Sequence, residues 1–305
     1  MDFLTHFNLK DFPFHLTPNL EFFCALGNHK NAVENLLFHL ESGEGLIKVV
    51  GEVGTGKTLL CRKLLHSLNN KDFITGYIPN PDLDKESLRL SVAMELGYTG
   101  NSSDNQFDII NHIYQKLMSY HQMGKRVVLI VDEAQALSDE GIETIRLLTN
   151  LETQKHKLLQ IVLFGQPELD KHLAATHMRQ VRQRINVNYY LEPLSPCEIE
   201  DYVITRLIIA GHPTGRICTK DALKFLSKAS GGIPRIINTL TYRAMLIAWE
   251  ERKQIIDKKI MKESIHLSKS LYAPAFQGIL KKCLYGGYVV IIIAMLIYMA
   301  YLIHG

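Results

Sequence analysis

Residues 51–58 read Gly51-Glu52-Val53-Gly54-Thr55-Gly56-Lys57-Thr58 and satisfy GxxxxGK[ST] at every fixed position. No other stretch narrows the possible folds as much. Gly54 and Gly56 let the backbone curl until its N–H groups face a common point. A helix opening at Lys57 aims its positive end at the same point. Such a nest suits phosphate. Lys57 can reach the β- and γ-phosphates, and the Thr58 hydroxyl can serve Mg²⁺. The loop has to sit between a buried strand and a helix. The apolar run LIKVV (46–50) and the pattern from Lys57 to Leu68 predict both. Residues 51–58 are therefore the candidate nucleotide-binding residues, with ATP and Mg²⁺ as ligands.

A second motif follows at the interval of one β/α unit. VVLIVD (127–132) is a continuous apolar run closed by one carboxylate, as in a parallel strand buried on both faces. Asp132 at its carboxyl end can hold Mg²⁺ through the ion's water shell, and Glu133 can orient and deprotonate an attacking water. Ala134 and Gln135 extend the pair to DEAQ, similar to the DExx variants of P-loop ATPases.

Around these motifs the pattern alternates. Strands are predicted at 46–50, 73–78, 127–132, 159–165 and 185–191, and helices at 28–40, 57–68, 85–97, 105–123, 139–153 and 168–176. The fold class is α/β, a parallel sheet with flanking helices. After Leu194 only helical periodicity remains, at 196–210, 219–229, 234–250 and 257–269. The domain plan is an aromatic N-terminal arm (1–28), a P-loop core (29–194), a small all-helical lid (195–269), a basic linker (270–283) and an apolar segment (284–303).

That last segment, LYGGYVVIIIAMLIYMAYLI, carries no charge and is long enough as a helix to span roughly 30 Å. Tyr285, Tyr288, Tyr298 and Tyr301 flank it like an aromatic belt, and Lys/Arg outnumber Asp/Glu from Glu251 to Lys282. The expectation is one C-terminal transmembrane helix and single-pass inner-membrane placement. The ATPase domain would lie in the cytoplasm, with anionic lipid against the basic segment. The N-terminus has no signal-peptide pattern. Five scattered cysteines without zinc spacing point to reduced thiols, and a net charge of +3 gives no footprint for nucleic acid.

The chain resembles the general secretion pathway protein A (ExeA-like) family of AAA+ ATPases over roughly residues 1–265. The resemblance is carried by FHLTPNLEFF (14–23), the run from Asn28 through the P-loop to Thr58, VDEAQ (131–135), GQPEL (165–169), RQRI (182–185), LEPLS (191–195) and SGGIPRIIN (230–238). It implies an AAA+ sheet in which the strand before Gln166 lies between the two motif strands. Gln166 would then act as sensor 1, touching the γ-phosphate or the water. It implies an arginine finger before the last strand, Arg182 or Arg184 rather than Arg179, reaching a neighbouring subunit's nucleotide. It implies sensor 2 at Arg235. Pro234 suits the first helical position, and a cation in a helix's first turn is better explained by a phosphate partner. Adenine over guanine follows from the same resemblance.

The function implied is ATP hydrolysis in support of a type IV (MSHA-like) pilus or a type II secretion-like envelope machine. The partners would be a second copy of the chain, as a ring or nucleotide-dependent dimer, and inner-membrane assembly proteins. Members of the family often carry a peptidoglycan-binding part after the membrane helix. This chain ends at Gly305, so direct wall binding is not expected. Two alternatives remain. One is a nucleic-acid-acting AAA+ protein of the initiator or transposition-regulator type, disfavoured by the near-neutral charge and the short span after the lid. The other is a non-hydrolysing switch, disfavoured by intact Lys57, Asp132, Glu133 and Arg235. No nucleic-acid partner is expected.

Overall fold

The structure is a computed structural model, and it describes residues 2–268 apart from 16, 18, 70, 71, 102 and 103. Five strands form one parallel sheet: β1 (Leu46–Gly51), β2 (Phe73–Ile78), β3 (Arg126–Val131), β4 (Leu159–Gly165) and β5 (Val187–Leu191), in the order β2-β3-β4-β1-β5. β4 pairs in parallel with both β1 and β3, so the Gln166 strand does lie between the two motif strands. All three strand ends that carry candidate residues therefore open on one edge, where α/β sheets bind ligands.

The helices preceding and covering the sheet are α1 (Phe3–His6), α2 (Gly27–Glu41), α3 (Lys57–Asn69), α4 (Lys85–Glu95), α5 (Gln106–Gln122), α6 (Asp139–Leu148), α7 (Pro167–Leu173) and α8 (Arg179–Arg182). Strands β1 and β4 are buried along their whole length, which explains their predominantly apolar runs. Their side chains alternate between two cores. Ile47 and Val49 join Leu36, Leu40, Leu60 and Leu64 of α2 and α3. Leu46 and Val50 join Leu88 of α4, Ile113 of α5 and Ile145 of α6 on the other face. Each such leucine or isoleucine contributes about 1.5–3 kcal/mol by leaving water. The exceptions to apolar burial in these two strands are Lys48, which pairs with Asp170 of α7, and Gln160, whose side-chain amide donates to the Leu40 and Glu44 carbonyls.

The helical domain comprises α9 (Pro196–Ile209), α10 (Lys220–Ser230) and α11 (Pro234–Glu250), with residues 258–268 also helical. α9 opens with a reciprocal capping box between Ser195 and Glu198 behind Pro196. α10 ends at Gly231 in the left-handed conformation. The N-terminal arm belongs to this domain's core. Phe3, Phe7, Phe14 and Phe22 pack among Ile199, Val203, Leu240 and Ala244. Arg206 ties it in, donating from Nε to the Pro13 carbonyl at 2.6 Å and lying over the Phe22 ring at 5.0 Å.

Two helices stop well before the end that their periodicity predicts. The one expected over 139–153 stops at Leu148, after which the N–H groups of Asn150 and Leu151 bond back to the Leu147 and Leu148 carbonyls in tighter turns and the helical ladder ends. An antiparallel bridge between Glu152 and Lys157 then leads into β4. The helix expected over 168–176 begins one residue earlier at Pro167 and ends at Leu173.

The expected membrane placement needs correction. Among the described residues no helix is long and apolar enough to cross a membrane. The linker 270–283 and the segment 284–303, on which single-pass inner-membrane placement rested, lie outside the described residues. The lipid contact expected at the basic segment depended on that placement and is withdrawn with it.

Candidate functional site

The loop after β1 adopts the curl that its glycines allow. Gly54 has φ +86° and Gly56 φ +101°, values that disfavour any side chain. At Gly54 the space is closed as well, since an added Cβ would lie 2.8 Å from the Arg235 Cβ. The loop is braced internally. Thr55, fully buried, donates from its hydroxyl to the Glu52 carbonyl at 2.8 Å and from its N–H to the same oxygen at 3.2 Å. Lys57 Nζ donates to the carbonyls of Gly51 at 2.8 Å and Glu52 at 3.0 Å. Burial lowers the Lys57 pKa, opposed by the negative charge of Glu133, Asp132, Glu52 and Glu168.

Asp132 and Glu133 follow β3 and differ in setting. Asp132 is 2% exposed, and burial raises its pKa against the hydrogen bonds from the Glu133 N–H and the Thr58 hydroxyl. The Thr58–Asp132 pair thus brings two hard oxygen donors together beside the loop, a set that fits Mg²⁺. Glu133 has φ +51°, ψ +38°, left-handed for a non-glycine residue. Its Oε2 accepts from Gln166 Nε2 at 3.0 Å and also from Gln135 Nε2. The Gln135 Oε1 in turn accepts the Gln166 backbone N–H at 3.0 Å. The carboxylate is held by these two side-chain amides, within range of the Lys57 charge.

Several of these groups line one cavity of about 340 Å³. Lys57, Thr58, Glu133 and Gln166 line its phosphate end, and Arg235 enters from α11. The Arg235 N–H donates to the Gly54 carbonyl at 3.2 Å, which joins the helical domain to the loop. At the far end Tyr202, Arg206 and Asn238 form a chain: Arg206 Nη1 donates to the Tyr202 hydroxyl at 3.0 Å, and that hydroxyl to Asn238 Oδ1 at 3.0 Å.

The structure therefore gathers Gly51 to Thr58, Asp132, Glu133, Gln166 and Arg235. Arg182 and Arg184 stay outside the group. Both are exposed before β5 and do not line the cavity. Arg182 contacts the Ala174 carbonyl, and Arg184 is close enough to Glu152 to lower its pKa, behind the hydrogen bond and charge of Lys157. Glu152 precedes β4, at the opposite end of the sheet from the loop. Three contributors were not singled out from sequence. Gln135, His29, whose Nε2 bonds the Thr55 carbonyl at 2.7 Å, and Asn238 of the Tyr202–Arg206–Asn238 chain lay within runs that carry the resemblance but had no role assigned, whereas Tyr202 and Arg206 had no local signal.

Comparison with known proteins agrees with this geometry. Residues 40–173 match a family described as AAA domain. The chain is 40% identical over 243 residues to the General secretion pathway protein A of Aeromonas hydrophila; the match covers 80% of this chain and 44% of that protein, so the chain spans under half of its relative's length. Among solved structures it resembles the Aeropyrum pernix ORC2 protein in ADPNP–ADP complexes (TM-score 0.57, 15% identity, 78% of this chain and 66% of that one). It also resembles the Aeropyrum pernix ORC1 protein in complex with DNA (TM-score 0.57, 17% identity, 82% and 67%). At such identities the likeness establishes the shared AAA+ fold. It lends no support to the expectation that nucleic acid is excluded, since the second of these relatives holds DNA.

Proposed function

The chain belongs to the AAA+ proteins of the general secretion pathway protein A type, and from that premise we propose that it binds ATP with Mg²⁺ and hydrolyses it to ADP and phosphate to support assembly of a secretion-type or type IV pilus-type envelope machine. The observation that carries the hydrolytic reading is Glu133. Its carboxylate lines the same cavity as Lys57 and is held at 3.0 Å by Gln166.

The loop N–H groups and Lys57 bind the phosphates, with Lys57 exchanging its two carbonyl partners for phosphate oxygens. Thr58 and Asp132 would hold Mg²⁺, which supplies charge neutralisation between the β- and γ-phosphates. Glu133 orients a water and takes its proton as the oxygen attacks the γ-phosphorus and the bond to the β-phosphate oxygen breaks. Gln166 aims that carboxylate. Arg235 enters from the helical domain, whose α11 rests on the loop through the Gly54 carbonyl. Arg182 and Arg184, far from their own loop, would complete the site of a second copy. The envelope role rests on the 40% identity to a protein whose name states general secretion.

A second reading, a nucleic-acid-acting ATPase, is favoured by the DNA-bound fold relative. The deciding experiment is phosphate release by the full chain across protein concentration, with and without DNA. Turnover per protomer that rises with concentration and ignores DNA supports the first reading. Turnover that requires DNA supports the second. ATP binding with no turnover under any of these conditions overturns hydrolysis as an intrinsic activity.

A further inference from the structure

His29 sits in the first turns of α2, 7% exposed, with its ring against the phosphate loop. Its Nε2 lies 2.7 Å from the Thr55 carbonyl oxygen. A carbonyl only accepts, so Nε2 carries the proton and donates. The ring also packs against the next residue, since a Cβ built on Gly56 would lie 3.3 Å from Nε2. The Thr55–Gly56 peptide is thereby gripped by a side chain from outside the loop, while the Thr55 hydroxyl grips Glu52 from inside. Behind the histidine stands Glu198 of the helical domain. Its Oε2 accepts from the Ser195 N–H at 2.7 Å, and its Oε1 lies against the position that a Cβ on Gly27 would take, so a side chain there would have to displace this carboxylate. The Glu198 charge acts on the His29 ring.

We infer that His29 is a positioning residue for nucleotide binding. By donating to the Thr55 carbonyl it holds the 55–56 peptide with the opposed Gly56 N–H turned toward the phosphates. Because Glu198 closes over α2 beside it, the loop's setting also depends on where the helical domain rests. This deepens the nucleotide reading above and rests on it. The three links, Glu198 to α2, His29 to Thr55 and Arg235 to Gly54, give the helical domain a grip on both sides of the loop. His29 touches no reacting atom. Its effect is on affinity, through the number of loop amides presented together.

The test compares His29→Leu, which fills the space without a donor, with His29→Gln, whose amide can donate to the same carbonyl. Both are made in the full chain, with Lys57→Ala as reference. A fluorescent ATP analogue is titrated, and phosphate release is measured for the KM-against-kcat split. The result expected is about a tenfold weaker Kd and a correspondingly higher KM in His29→Leu, the loss of one hydrogen bond to an ordered loop, with kcat changed less than KM. His29→Gln should restore Kd to within about threefold of wild type. Equal affinities for the two variants would overturn the inference, because only the donor separates them. Failure of the nucleotide reading looks different: wild type would not bind the analogue, or Lys57→Ala would bind as well as wild type.

Discussion

Gln166 donates its side-chain N–H to the Oε2 of Glu133 at 3.0 Å, joining the end of β4 to the residue after β3. Gln135 donates to the same oxygen and receives the Gln166 backbone N–H. The carboxylate of a left-handed residue is thus fixed by two neutral amides, which hold it without quenching its charge. A general base needs that combination, a defined direction with its charge intact. Removing the charge while keeping the shape should then separate binding from chemistry. Glu133→Gln is expected to bind ATP within about threefold of wild type and to lose turnover by about 10²–10⁴-fold. Equilibrium binding and single-turnover phosphate release on the same protein check it, and normal hydrolysis by Glu133→Gln would remove the base assignment.

Gln166→Ala tests the holding interaction itself. With Gln135 still in place the carboxylate keeps one partner, so the expected loss of kcat is intermediate, about 10–100-fold. ATP affinity should change little, because Gln166 faces the Glu133 end of the cavity. A loss of affinity with kcat unchanged would assign Gln166 to nucleotide binding instead.

The contact between Gly54 and Arg235 predicts a backbone effect. Gly54 combines φ +86° with a neighbouring Cβ 2.8 Å from where its own would be. Gly54→Ala should therefore lose about 1–3 kcal/mol of strain-sensitive stability and displace α11 from the loop. The measurement is chemical denaturation together with ATP titration. Both should fall, whereas Gly43→Ala, at φ +87° with nothing within 4 Å, should lose stability alone.

His29 makes a pH prediction whose sign follows from its burial. Burial lowers its folded-state pKa below the ordinary 6.5, against the raising effects of the Thr55 hydrogen bond and the Glu198 charge. Between the folded and unfolded values the unfolded chain binds more protons, so stability rises with pH there. The contribution is present above about pH 6.5 and is lost as pH falls through the folded value. Wild type should lose more stability than His29→Gln between pH 7.5 and pH 5.5. Parallel denaturation curves for the two proteins would contradict it.

These sites differ in how far the sequence disclosed them, and the reason is range. The loop from Gly51 to Thr58 is contiguous, and its chemistry dictates its spelling. Asp132 and Glu133 close an apolar run that only a doubly buried strand explains, so both were legible. The 139–153 helix was overextended because Leu147, Leu148 and Leu151 continue the apolar pattern, while the stop comes from tight turns at Asn150 and Leu151 that lead into the bridge between Glu152 and Lys157. His29 lies 26 positions from its carbonyl partner, and a lone histidine in an amphipathic helix carries no mark of it. The arm's phenylalanines announced burial but not which core would receive them. Arg206 joins Pro13 across 193 positions, a relationship fixed by tertiary packing alone.

Range also shapes the last prediction. Arg184 lies by Glu152, before β4, whereas the phosphate loop follows β1 at the other end of the sheet. An arginine so placed stands away from its own phosphate loop, and in the proposed mechanism it would act on a second copy. Arg184→Ala should therefore bind ATP like wild type and lose turnover by about 10³-fold or more if it is the finger, with Arg182→Ala as the parallel test. Mixing separates this from damage within one subunit. Arg184→Ala keeps Glu133, and Glu133→Gln keeps Arg184, so each alone is inactive. An interface between them unites an intact base with an intact arginine. Phosphate release that reappears on mixing the two inactive proteins, and rises with their concentration, is the outcome expected of a shared site. If mixtures remain as inactive as their components while both still bind ATP and associate, Arg184 does not act between subunits.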